Sequence, residues 1–250
     1  MAVRDEIKEQ TEKFKDMTLS QKADYIWTYY KLWILGTIAV VLIIVMTAQA
    51  IIENSKPSYI SIMFLSSTAQ DGGARCTVGS EFLEKQGVDT EKFKSEFDYA
   101  TYLDNDYTNQ QSMAGQIKLI SMYQAGQVDI VCAKDVVLEG SGDVGGYSNL
   151  EEILPDGMLD ELIKKGYEPY YYTEKIYDDM ELPDSEGNRP YTDGETYIAG
   201  LYIDKCDKLV GEGDSFVYNE EAAQGMVLTV AFNAPNVEHA IEFIQFISEN

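Results

Sequence analysis

The longest uninterrupted apolar stretch in the chain runs from Leu32 to Ile52, LWILGTIAVVLIIVMTAQAII, 21 residues without a charge. At 1.5 Å of rise per residue it covers about 30 Å, the thickness of a bilayer's hydrocarbon core, so the pattern predicts one transmembrane helix over residues 32–52. Trp27, Tyr29, Tyr30 and Trp33 crowd its N-terminal edge, where amphipathic rings favour the headgroup level. Upstream, Thr18-Leu19-Ser20-Gln21 has the form of a capping box, which predicts a helix that starts there and continues into the span. Residues 3–16 carry Glu and Lys at helical spacing and read as a short surface helix. Ala48-Gln49-Ala50 also fits a signal-peptidase site, so a cleaved signal sequence competes with an anchor. Against cleavage stand the long, neutral preceding segment, the length of the apolar run, and Ile51-Ile52 beyond the cut. The segment has no nearby Cys, so a lipobox-type attachment is not expected.

After a linker at 53–57, β-prone apolar runs alternate with helical periodicity over residues 58–250. Ser58 to Leu65 reads as a buried strand, Ser80 to Lys85 and Asp89 to Phe97 as helical, and Tyr99 to Leu103 as a second strand. Asn109 to Ala125 places Met113, Ile117, Ile120 and Tyr123 at steps of three and four, a helix that Gly126 ends, before a third strand from Val128 to Ala133. This β-α-β-α-β order predicts parallel pairing in an α/β sheet. Beyond the Gly140–Gly146 loop come an acidic helix broken at Pro155, a strand over Tyr167–Tyr177, and a hairpin turn at Leu182–Tyr191 leading into Tyr197–Tyr202. A strand from Met226 to Phe232, a turn with Asn236 as N-cap, and a helix from Val237 to Ser248 close the chain.

Charge changes the picture in one respect. Residues 1–31 carry six basic and six acidic groups, so the whole formal net charge of -24 falls on residues 53–250. Those six Lys and Arg precede the span and only Lys56 follows closely, a bias that places the N-terminus in the cytoplasm and the large domain outside. A domain of that sign repels nucleic-acid phosphates and anionic headgroups, which removes nucleic acid from the expected partners and leaves cationic ligands or a basic partner open.

Catalytic constellations are thin. His239 is the only histidine and is placed on the polar side of the last helix, no GxSxG, HExxH or P-loop pattern occurs, and no cofactor is implied. Cys76, Cys132 and Cys206 have neither CxxC nor zinc-ligand spacing; Cys132 sits in an apolar run as a small buried thiol, and a Cys76–Cys206 disulfide is left open. The acidic run from Asp178 to Asn188 lacks EF-hand spacing and reads as a solvated hairpin, so no metal site is expected. Tyrosine is the anomaly: nine fall between Tyr147 and Tyr202. Rings with a polar tip suit both ligand clefts and ordinary strands.

Three stretches carry a resemblance. Met113–Asp135 (MAGQIKLISMYQAGQVDIVCAKD) is similar to the helix-Gly-strand unit of extracytoplasmic solute-binding proteins, Tyr197–Asp204 (YIAGLYID) resembles a central Tyr-x-x-Gly strand, and Val227–Ile247 resembles their closing strand and helix. The resemblance implies a periplasmic-binding-protein-like α/β fold, with the second lobe reduced at this length, and a non-catalytic domain that captures or senses a small solute or peptide. The alternative is an interaction or scaffold module of the same fold without a pocket, an accessory subunit beside a membrane protein partner. Ligands of α/β sheets sit beyond the carboxyl ends of strands. That rule selects Ser66 and Ser67, Asp104 and Asp106, and Asp135 as ligand-binding candidates, with Tyr172 and Tyr197 added from the tyrosine set.

Overall fold

The computed structural model describes residues 17–104, 109–141, 146–177 and 190–249. The chain divides into two units, Met1–Lys56 and Pro57–Asn250.

The described part of the first unit is one helix, α1, Leu19–Asn54. It begins at the expected capping box: the Thr18 N–H donates to Gln21 Oε1 at 3.0 Å and the Gln21 N–H to Thr18 Oγ1 at 3.5 Å. The helix then continues without a break through Tyr30–Glu53, 24 residues, long and apolar enough to cross a bilayer. Leu32, Trp33, Ile43 and Met46 are exposed along it.

The second unit is built on one six-stranded mixed sheet, ordered β2-β1-β3-β6-β5-β4. Its strands are β1 Ser58–Phe64, β2 Lys94–Asp98, β3 Ile130–Lys134, β4 Pro169–Tyr177, β5 Tyr191–Tyr202 and β6 Met226–Val230. Strands β2, β1 and β3 are parallel, with Ile62 opposite both Phe97 and Ile130, as the β-α-β-α-β order requires. The other half is antiparallel, as hairpins and short returns allow. Helix α2, Val78–Lys85, makes the first crossover and α3, Gln110–Gln124, the second. They lie on opposite faces. Ile60, Ile62, Phe64, Ile130 and Cys132 pack with Phe82 of α2 and with Phe243 and Ile244 of the closing helix α8, Val237–Ser248. Met63, Leu65, Val131 and Ala133, one position out of phase, pack with Leu119 and Tyr123 of α3. Four short helices complete the layers: α4 Asp135–Ser141, α5 Leu150–Ile153, α6 Met158–Lys164 and α7 Glu220–Ala223.

Three expectations are corrected. Residues 89–97 are not a helix: Asp89 closes a turn, its Oδ1 accepting from the Glu91 N–H and its carbonyl from the Phe93 N–H, and Lys94–Asp98 is the edge strand β2. Pairing with β1 decides this stretch over local periodicity. Tyr99–Leu103, expected as a strand, is the connection that follows it. On α3 the expected apolar stripe is partly turned out, since Met113 and Ile117 are exposed while Ser112, Gly115, Leu119 and Tyr123 are buried. The turn before β5 and the acidic run at 178–188 lie outside the described residues, as do residues 1–16; the strands flanking that turn pair from Tyr177 opposite Tyr191. All three cysteines are free.

Candidate functional site

Strand β1 has β2 on one side and β3 on the other, so the carboxyl ends of β1 and β3 form the switch point where a ligand of an α/β sheet would sit. The structure brings Ser66 and Ser67 there and turns their hydroxyls inward. Ser66 adopts φ 52°, a left-handed conformation that costs a residue with a Cβ about 1 kcal/mol or more. Its Oγ donates to the Leu103 carbonyl at 2.6 Å and accepts from the Leu103 N–H at 3.1 Å. Ser67 Oγ donates to the Val217 carbonyl at 2.8 Å and accepts from the Ala69 N–H at 3.1 Å, while Thr68 Oγ1 accepts from the Asn219 N–H at 2.8 Å. Behind them the fully buried Tyr218 donates its hydroxyl to the Leu65 carbonyl at 3.0 Å. Leu103 and the 217–219 segment of the chain therefore engage the hydroxyls of Ser66, Ser67 and Thr68 at the end of β1.

Asp135, at the end of β3, stays half-exposed. Its N–H donates to the Gly225 carbonyl, Oδ1 accepts from the Val136 N–H at 2.7 Å, and Oδ2 accepts from the Tyr202 hydroxyl at 3.2 Å.

At the end of β2 the buried Asp98 accepts from Lys118 Nζ at 2.6 Å, Thr101 Oγ1 at 2.5 Å and the Ala100 and Thr101 N–H groups. Burial alone would raise its pKa, but the Lys118 ammonium, the Thr101 hydroxyl and the Ala100 N–H outweigh it and hold the carboxyl below its ordinary value. A depressed folded pKa gives stability that is complete above the unfolded value of about 4 and is lost as pH falls through the folded one. The urea midpoint of the protein is therefore expected to fall on acidification below about pH 4, and Lys118→Met to flatten that fall. An unchanged acid limb in the variant would exclude Asp98 as its cause.

From Asp98 the connection runs along the small-residue side of α3. Ser112 Oγ donates to the Asp104 carbonyl at 3.0 Å and accepts from the Asp104 N–H at 3.1 Å, and Asp104 Oδ2 accepts from the Tyr102 hydroxyl at 2.6 Å. A shallow groove of about 280 Å³ remains between Ala100–Tyr102 and Gln111, Ala114, Gly115 and Lys118.

The tyrosines are mostly structural. Tyr147 and Tyr172 are buried and meet edge to face at 5.2 Å, and Tyr172 meets Tyr197 at 5.9 Å. Tyr147 donates to the Leu138 carbonyl at 3.0 Å and Tyr197 to the Tyr147 carbonyl at 2.8 Å. Burial pushes the phenols of Tyr123, Tyr147 and Tyr170 well up, so they stay protonated at neutral pH. Six of the seven residues selected from the sequence thus fall into separate places: Ser66, Ser67 and Asp104 in backbone-tied connections, Asp135 against Tyr202, and Tyr172 in the core with the half-buried Tyr197 packed against it. Asp106 lies outside the described residues.

His239 is half-buried, more enclosed than its place on a polar helix face suggests. It stacks on Tyr59 with ring centroids 3.7 Å apart, and its Nδ1 is 2.6 Å from the Tyr59 carbonyl oxygen. Burial pushes the Cys132 thiol up to about 12, far from thiolate reactivity. Among the described residues no group of three or more His, Cys, Asp and Glu side chains is placed to hold a metal ion. Sequence reasoning missed Tyr218 and Gly115, whose roles rest on partners distant in the chain: Tyr218 reaches Leu65 and Cys132, and a Cβ at Gly115 would lie 2.1 Å from the Tyr102 carbonyl oxygen.

The fold defines a mixed α/β domain carried behind one apolar helix. Comparison with known proteins adds no relative: no family model, no curated protein and no solved structure matches the chain.

Proposed function

We propose that the chain is a single-pass membrane protein with a cytoplasmic N-terminus whose acidic α/β domain works outside the membrane as a non-catalytic interaction module, an accessory or scaffold subunit of a membrane complex. The observation that carries this reading is the closed carboxyl end of β1, where Ser66, Ser67 and Thr68 are tied to Leu103, Val217 and Asn219 and Tyr218 covers Leu65. A receptor that encloses a solute between two lobes needs that end open. The absence of catalysis is supported by the occupied serine hydroxyls, the elevated Cys132 thiol and the Tyr59-bound His239. Orientation is supported by the excess of Lys and Arg before the span.

Two measurements test the reading. Protease added to intact cells is expected to digest the Pro57–Asn250 unit and spare an N-terminal epitope; the reverse result overturns the orientation. A thermal-shift panel of sugars, neutral amino acids and anions on the full chain is expected to leave the melting temperature unchanged. A true solute at 100 times its Kd would add about 2.7 kcal/mol, which for a domain of this size is roughly 5 to 10 °C. A saturable rise of that order would restore the solute-receptor reading.

A further inference from the structure

Among the described residues, the Asp135 side of the switch point stays half-exposed, and there the side chains form a corner of definite chemistry. Asp135 and Glu139 stand four residues apart on α4 and therefore on the same side of it. Beside them, Tyr202 is held by its hydrogen bond to Asp135, and the rings of Tyr202 and Tyr170 meet at 80° with centroids 6.1 Å apart. Glu168 adds a third negative charge acting on Tyr202, although it is paired with Lys205 at 3.2 Å. An acidic cluster alone would mean little on so acidic a domain. The second observation is the Tyr170 hydroxyl: the residue is 4 % exposed, and among the described residues that oxygen has no hydrogen-bond partner. The Tyr170 ring lies edge to face against Tyr202, whose hydroxyl is bonded to Asp135, so this buried hydroxyl adjoins the corner. A buried, unpartnered hydroxyl costs about 1 to 3 kcal/mol, and a ligand that donates to it removes the cost.

We propose that Asp135, Glu139, Tyr170 and Tyr202 form a binding site for an organic cation, an ammonium or guanidinium head with several N–H donors. Two carboxylates and a phenolic oxygen accept from three N–H groups, and perpendicular tyrosine faces attract the same charge through their rings. A bare metal ion fits worse, because no cluster of three or more ligating side chains is present among the described residues. The head group is common to a free amine and to a Lys or Arg side chain offered by a polypeptide; the second source rests on the interaction-module reading above and deepens it.

The test uses the full chain in detergent micelles, titrated calorimetrically with agmatine and with a peptide that carries one Arg. Glu139→Gln and Asp135→Asn are expected to weaken binding about tenfold, the equivalent of one lost charge-assisted contact. Tyr170→Phe is expected to weaken it several-fold without lowering the melting temperature, since it removes only the unpartnered oxygen. Glu220→Gln, at the exposed start of α7, is expected to leave affinity unchanged. Saturable binding with that pattern supports the site: if the peptide alone binds, the source is a polypeptide, and if agmatine binds equally, the site stands and the interaction-only reading falls. No saturable binding of either probe overturns the site and leaves the module reading intact. Equal losses at Glu139 and Glu220 overturn it as well, because they would mark diffuse attraction to a negative surface.

Discussion

Replacing Asp129 with alanine is expected to destabilise the Pro57–Asn250 unit by about 3 to 5 kcal/mol. Asp129 is fully buried in front of β3. One carboxylate oxygen accepts from the Ser61 N–H at 2.8 Å and from Asn236 Nδ2 at 3.2 Å, and the other from the Asn236 N–H at 2.7 Å. The same residue's main chain bonds Ser61 and Ala231. One side chain therefore holds β1, β3 and the turn into α8 together. Truncation leaves two backbone N–H groups and an amide without acceptors, each costing about 1 to 3 kcal/mol where water cannot replace them. Asp129→Asn keeps one oxygen and is expected to lose about half as much. The urea midpoint, with its slope, measures both. A loss below about 1 kcal/mol for the alanine variant would show that the turn is held by packing alone.

Gly115→Ala separates helix propensity from packing. In an exposed helix the change would add about 1 kcal/mol of stability, because glycine loses more backbone freedom on folding. Here the sign is expected to reverse. The added Cβ would lie 2.1 Å from the Tyr102 carbonyl oxygen and 3.3 Å from Thr101 Cγ2, and the nearer of those atoms is backbone. Helix α3 must then retreat from the 101–104 connection, which strains the Ser112 contacts to Asp104 and the Lys118 pair with Asp98. A net loss of about 2 to 3 kcal/mol is expected from such overpacking, and a differential melting scan reads it directly. A rise in melting temperature would mean that the connection yields without cost.

Much of the frame was legible before the structure. The long apolar helix stood out because 21 residues follow one another without a charge, and Thr18 with Gln21 marked where it begins. The parallel β1-β3 core was legible because each strand is apolar on both faces and a glycine closes α3. Strand β2 was hidden by its place at the sheet edge: Lys94-Ser95-Glu96-Phe97-Asp98 pairs on one side only and needs no hydrophobic run. The inner face of α3 was misjudged because Ser112 and Gly115 have almost no hydrophobic signal, yet their small size is what admits a neighbouring backbone. The candidate site was legible only as a place. That the carboxyl end of β1 matters followed from topology, but the groups that close it, Val217, Tyr218 and Asn219, lie some 150 residues along the chain and carry no local mark. Asp135 follows the end of β3 as the apolar run implied, whereas its neighbours Tyr202 and Tyr170 become neighbours only when β4, β5 and β6 pair.

Helix α1 keeps a single screw from Leu19 to Asn54, and Leu19–Tyr29 precedes its bilayer-length portion without a proline or a kink. Azimuth is therefore inherited along it. Inserting one residue between Lys31 and Leu32 turns every side chain before that point by about 100° relative to every one after it. Four inserted residues bring the two halves nearly back into phase. A function that depends on which side of Leu19–Tyr29 meets its neighbours will rise and fall with that angular period. One that needs only a tether will not notice.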